Sequence, residues 1–254
     1  MNRYYSSNAL YEQLEGSGSH EFYWAVGNSW ALVYGDTRGI PKLVVFASGT
    51  SIEELDDLGK ERIQSTLALA GELARRAGLP FGTIEFDDRA GEVSEVLLNK
   101  KIVNLDELKM WFAKYGLAVK RNEGGPPLKA INDASSSAYH KWQRSVLGQI
   151  TVTDIDLVRV DAKNSEPKAI YELKRSYIPL DSWAPFRADY SNFNLASAFA
   201  GMSKVNFFIV YNVRHKAPKF FDDVSRLRIF SYSDQAGAKS LAMMSFDDFV
   251  QEQR

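Results

Sequence analysis

The chain has 254 residues, 45% of them apolar and 25% charged, which is the composition of a globular protein with room for one large domain or two modest ones. It contains no cysteine, so disulfides and thiolate metal sites are excluded, and no run approaches the ~18 apolar residues of a membrane span. A net charge of −1 argues against a generic polyanion binder, but the first 124 residues carry 14 basic and 18 acidic side chains and the rest carry 17 and 14, so the second half is the better suited to face phosphate.

In chain order, residues 21–47 read as an antiparallel meander, EFYWAV, SWALVYG and PKLVVFA, broken at Gly27–Asn28 and at Gly35–Gly39. A long helix is predicted from about Ile52 to Ala77, with Arg75 and Arg76 in its last turn and Gly78 just beyond. Two strands follow, FGTIEFD and EVSEVLLN, and then Asn104 caps a helix that ends near Gly116. These elements make an α+β unit over 1–120, an antiparallel sheet with helices, whose task is recognition or positioning. The polar stretch KRNEGGPPLKAINDASSS breaks the pattern and places a linker at 121–134. A second unit, 135–254, opens with a helix over AYHKWQRSVLG. ITVTDIDLVRVD follows as one long strand or a bent pair, and KNSEP as a turn. The strand KAIYELKRS, the helix DYSNFNLASAFAG, the buried strand KVNFFIVYNV, the strand RLRIFSYS and a closing helix complete it. The predicted class is mixed α/β (α+β). The opening MNRYYSSNALYEQLEGSGSH lacks a basic end followed by an apolar block, which predicts a cytoplasmic protein.

The chemistry concentrates in TDIDLVRVDAKNSEPKAIYELKRS. Residues two apart on a strand share a face, so Asp154 aligns with Asp156 and Glu172 with Lys174. If the two strands pair as a hairpin, a turn centred on Asn164 sets Asp156 opposite Glu172, and one centred on Ser165 sets it opposite Lys174. Either register gathers Asp156, Glu172 and Lys174 on one side of the sheet. Two carboxylates so close repel unless a cation lies between them. Hard oxygen donors suit Mg²⁺, with Mn²⁺ as its substitute, held by Asp156, Glu172 and the Leu173 carbonyl, with Asp154 as a possible ligand. Lys174 would then steer or deprotonate an attacking water, or offset charge developing on a phosphate.

At these residues the sequence resembles the PD-(D/E)xK nuclease superfamily, the restriction-endonuclease-like fold. Asp156 is followed by fifteen residues and then by Glu172-Leu173-Lys174, after an initial helix and before a helix–strand pair. The resemblance covers about residues 133–215 and does not reach 1–124. It implies a mixed-sheet core flanked by helices, Asp156 and Glu172 as metal ligands, Lys174 as a catalytic group, and double-stranded DNA as the partner of a metal-dependent endonuclease, with a homodimer by analogy. Many members carry a Glu in the first helix, where this chain offers Gln143 as a near equivalent. Tyr190, Asn192 and Asn194 fall where some members place Gln or Tyr. An inactive binding or assembly subunit on the same fold is the alternative.

Candidate substrate contacts are Gln143 in the first helix, Arg175 beside Lys174, Trp183, Phe186 and Arg187 in the loop after the motif, Asn192 in the later helix, and Arg214 and His215 leaving the buried strand. Trp183 and Phe186 read first as caps on the core, and the charged strand exit reads also as a solvated edge. His20, His140 and His215 have no metal-ligand spacing, and no nucleophile elbow or phosphate-binding loop is present.

Overall fold

A computed structural model describes residues 8–117, 138–148, 150–217 and 219–251. The linker expected at 121–134 lies outside the described residues. Six helices and twelve strands are seen among them. In chain order they are α1 (Ala9–Gly16), β1 (Phe22–Tyr23), β2 (Ser29–Gly35), β3 (Pro41–Gly49), α2 (Asp57–Ala77), β4 (Phe81–Phe86), β5 (Glu95–Leu98), β6 (Lys101–Asn104) and α3 (Leu105–Lys114). Then come α4 (Ala138–Val146), β7 (Thr151–Asp154), β8 (Leu157–Val160), β9 (Pro167–Ser176), α5 (Tyr190–Met202), β10 (Asn206–His215), β11 (Phe221–Ser233), β12 (Gly237–Ser245) and α6 (Phe246–Gln251).

Local signals explain most boundaries. Asp56 caps α2 by accepting from the Gly59 N–H, and Gly78 ends it at φ +66°. The helix therefore begins five residues after the expected Ile52, because Thr50–Glu54 form a separate 3₁₀ turn. Asn104 and Glu107 make a reciprocal capping box on α3. Helix α1 was not expected; Asn8 caps it, and its apolar Leu10 and Leu14 lie four apart on one buried stripe. Strands β6 and β12 were also not expected. The first is reached through Asn99 and Lys100 at positive φ, and the second through the turn before Gly237.

The strands form two mixed sheets, in agreement with the α+β class. Sheet I has the order β6-β5-β4-β3-β2-β7, and sheet II the order β1-β8-β9-β10-β11-β12. Sheet I is not purely antiparallel, since β3 and β4 run parallel around α2. The same crossover recurs in sheet II, where β9 and β10 run parallel around α5. Side-chain alternation settles what lies on each face. Ala31, Val33, Val44 and Phe46 of sheet I and Val158, Ile170, Ile209 and Tyr211 of sheet II share one core with α2 and α5. The two crossover helices are thus layered between the sheets, with the Ser203 hydroxyl of the turn ending α5 donating to the Leu73 carbonyl of α2 at 3.0 Å. The outer face of sheet I packs on α3 and α4, and the outer face of sheet II on α1 and α6.

One strand crosses each way between the halves of the chain. The expected meander over 21–47 loses its first strand, since β1 pairs with β8 in sheet II while β2 and β3 form their hairpin in sheet I. Conversely, β7 pairs with β2 in sheet I and β8 with β9 in sheet II. Ile155 and Asp156 are therefore the hinge of a bent strand pair whose halves belong to different sheets.

Candidate active site

The hairpin register is the one centred on Asn164. Leu157 faces Tyr171 and Val158 faces Ile170, which continues to Asp156 beside Glu172. Beyond Tyr171, β9 has no strand partner on this side among the described residues, because the chain has turned away into sheet I. Residues Leu173–Ser176 thus form an open stretch of sheet edge at the mouth between the two sheets. The Leu173 N–H fills part of this gap by donating to Asp156 Oδ2 at 2.7 Å. The N–H and C=O of one strand residue point toward the same neighbour, so the Leu173 carbonyl faces the same side.

Glu172 is 6% exposed and its Oε1 lies 2.7 Å from Lys174 Nζ, whose side chain keeps 26% of its surface. The Lys174 ammonium also sits 5.5 Å from the Phe193 ring centroid on α5. Burial pushes the Asp156 carboxyl well above the ordinary carboxylate range, and the charges of Glu172 and Asp154 push it further, against Lys174 and the Leu173 N–H. Glu172 is raised by burial, with Lys174 opposing and Asp154 and Asp189 adding to the rise. Burial on its own would depress Lys174, but the Glu172 and Asp156 carboxylates outweigh it and hold the ammonium above its ordinary value. Three carboxylates, Glu172, Asp156 and Asp189, therefore act on one ammonium.

Two members of this set carry no motif signal. Asp189 is the residue before α5, brought over the cluster by the loop that follows β9. Tyr11, on α1, donates its hydroxyl to the Asp156 carbonyl at 2.9 Å and stacks on Trp24 at a centroid distance of 5.2 Å. Burial, then Asp156, Asp154 and Glu172, raise its phenol well above the ordinary value. Tyr11 thus holds the bend between β7 and β8 from the outer face of sheet II. A contact between positions 145 residues apart leaves no trace in local periodicity.

The remaining candidates separate. Gln143 is not at the cluster; it is buried in the outer core of sheet I, where Tyr34 donates to its Oε1 at 2.6 Å. As a mid-helix residue on the apolar face of α4 it belongs to a Tyr34–Tyr139–Gln143 network. Trp183 is no stacking platform, since it is buried and lies 4.1 Å from the Tyr211 ring at 2°. Phe186 stays exposed against its edge, and Arg187 is exposed. Arg175 Nη1 and Arg214 Nε both grip Asp222, at 2.6 and 2.8 Å, tying β9, β10 and β11 together. Burial opposes the Asp222 charge, but the two guanidinium groups hold its carboxyl below the usual range. Asn192 is half-buried near the start of α5, and Asn194 accepts from the Tyr232 hydroxyl. His140, whose ring meets Trp30, is pushed down to about 4 by burial, with Asp154 opposing. An open groove of about 690 Å³ lies along β6 and α3, at the opposite edge of sheet I from β7, so it is not part of this cluster.

No family model matches the chain, and none of the curated proteins matches it. Among solved structures, a sex pheromone precursor from Lactobacillus salivarius subsp. salivarius UCC118 is similar at 8% identity and a TM-score of 0.16, over 79% of this chain and 61% of that one. A likeness at that level carries no argument about fold or function. No helix among the described residues is long and apolar enough to cross a membrane.

Asp156, Glu172 and the Leu173 carbonyl are oxygen donors of the kind a hard divalent cation takes. Buried Glu172 and half-buried Asp156 face one ammonium, an imbalance that a bound cation would relieve. Among the described residues no three or more His, Asp or Glu side chains converge as a complete ligand set. Mg²⁺ is commonly held by one or two carboxylates, with water and phosphate oxygens completing its shell. Asp156 and Glu172 would be those two carboxylates.

The raised Asp156 pKa yields an expected outcome. The folded state binds the Asp156 proton more tightly than the unfolded chain, so this group favours folding at low pH and that contribution is lost as pH rises above the unfolded value of about 4. Asp156→Asn keeps an acceptor for the Leu173 N–H and removes the charge. In metal-free buffer its Tm should exceed the wild-type value at pH 8 by a few degrees, at about 2–4 °C per kcal/mol, and the gap should close toward pH 4. Thermal melts across that range check it; a variant less stable at every pH contradicts the electrostatic reading.

Proposed function

We propose that the protein is a metal-dependent phosphodiesterase acting on nucleic acid, with DNA as the preferred polymer, and that Asp156, Glu172 and Lys174 carry the reaction. The observation behind this reading is the open edge of β9, where buried Glu172 and half-buried Asp156 and Lys174 lie beside a strand that has left the sheet. The order of elements around it agrees with the resemblance to the PD-(D/E)xK nucleases. A cation bound there would polarise the phosphate and lower the pKa of an attacking water. Asp156 and Glu172 would hold that cation. Lys174, kept charged by its neighbours, would face the charge that builds on the phosphate oxygens. Tyr11 would keep Asp156 aimed by fixing its backbone.

A second reading, a binding or assembly subunit without activity, is favoured by the direct Lys174–Glu172 ion pair, which occupies one of the carboxylates a metal would need. A cleavage assay decides between them. Plasmid, linear duplex, branched, single-stranded DNA and RNA are incubated with Mg²⁺, Mn²⁺ or EDTA, beside Asp156→Ala. Metal-dependent cutting that disappears in the variant is the expected result. A folded wild type that cuts none of the substrates with either metal hands the case to the binding subunit.

A further inference from the structure

We propose that the end of the β9–β10–β11 strands is a landing surface for an unpaired, single-stranded segment of nucleic acid. The proposal rests on the phosphodiesterase reading only for what happens to the strand afterwards; the binding itself needs no metal.

The observation is a grouping of aromatic rings and cations at the neighbouring ends of β9, β10 and β11. Tyr177 follows the last residue of β9, and Lys216 Nζ lies 4.3 Å from its ring centroid. His215, the last residue of β10, stacks on Phe221 at 4.6 Å and 16°. Phe220 precedes it. Tyr177, Phe220 and Phe221 are 38%, 59% and 45% exposed, although their ring surface is what folding normally hides. Lys216 and Lys219 are exposed beside them.

Charge selects the occupant. Arg175, Arg214, Lys216 and Lys219 outnumber the carboxylates Asp222 and Asp223, of which Asp222 is shared by the two arginines and Asp223 lies 3.8 Å from His215. A cationic, ring-bearing surface in a chain of net charge −1 is a local departure from the average. Phosphates suit the cations and bases suit the rings, because every base has a face to stack and stacking is indifferent to sequence. A duplex hides those faces, so the surface prefers an unpaired strand.

Position links this surface to the cluster. Lys174 pairs with Tyr211 on β10, and His215 is four residues further along that strand, about 13 Å at the usual rise. By strand alternation His215 and Tyr211 lie on one face, the face that carries Glu172 and Lys174. Trp183 covers Tyr211 between the surface and the cluster, so a strand held at Phe221 would pass around that loop to reach the carboxylates.

The test is fluorescence anisotropy with the full chain in EDTA, using a labelled 20-mer of thymidylate and a duplex of equal length. The single strand should bind at least about tenfold tighter than the duplex. Phe221→Ala and Tyr177→Ala should each weaken it by about tenfold, Phe221→Trp should retain it, and Lys216→Glu should weaken it and flatten its salt dependence. Thermal melts show that the variants are folded. Equal affinity for the two forms, polyglutamate competing as well as the oligonucleotide, or no effect of either aromatic substitution overturns the proposal. The two readings fail separately: single-strand binding through these residues without any cleavage sinks the hydrolase alone, and duplex cleavage without single-strand binding sinks the landing surface alone.

Discussion

Alanine in place of Lys174 is expected to reduce metal-dependent cleavage by ~10²–10⁴-fold, the range typical of losing one positioned group at the reacting centre. The Lys174 ammonium is the cation that Glu172, Asp156 and Asp189 all act upon. Without it Glu172 stays buried among like charges, so its carboxyl rises further above its unfolded value. A raised carboxylate pKa favours folding at low pH and is penalised as pH increases, so the stability deficit of Lys174→Ala should widen from pH 5 to pH 8. Single-turnover cleavage and thermal melts of the same preparation separate the two effects. Lys174→Arg keeps the charge but replaces a compact ammonium with a planar fork, so it should restore stability better than activity. Full activity in Lys174→Ala removes this residue from the chemistry.

The largest loss of stability should come from Arg159→Ala. Arg159 is 2% exposed on β8 and reaches Glu21 Oε2 with Nη2 at 2.7 Å and with Nε at 3.0 Å. Its remaining donors meet the carbonyls of Phe249 and Val250 in α6, and its guanidinium lies 5.0 Å from the Phe22 ring centroid. One side chain thus joins the crossing strand β1, the hairpin strand β8 and the last helix. Breaking such a pair from one side strands the other charge and costs about 3–5 kcal/mol. At about 2–4 °C per kcal/mol, Tm should fall by roughly 6–20 °C. The double replacement Arg159→Met with Glu21→Leu should recover much of that loss, because no charge is left buried alone. A single variant within about 1 kcal/mol of wild type by denaturant titration contradicts the account.

Local chemistry made much of this molecule legible from its residues. The caps of α2 and α3 are side-chain oxygens and a left-handed glycine at positions the sequence displays. The alternation of β9 puts Glu172 and Lys174 on one face whatever the fold around them, and the short KNSEP turn leaves Asp156 few registers to choose from. Gln143 shows where such reasoning stops. Its place on α4 is where the resemblance would put an acidic ligand, yet that helix lies on the far face of sheet I and buries its amide against Tyr34. Trp183 was open to two readings, and only the ring of Tyr211 beneath it decides for the core.

Spacing, alternation and capping by themselves determined the mixed α/β class, most helices and strands, and the Asp156–Glu172–Lys174 grouping, because each depends on neighbours within a few residues or across one hairpin. Only the tertiary structure decided that β1 and β7 change places between the sheets, that α2 and α5 lie together between them, and that Tyr11 and Asp189 join the cluster. These depend on contacts between distant segments, whose energy comes from burying shared surface and leaves no periodic mark on either partner.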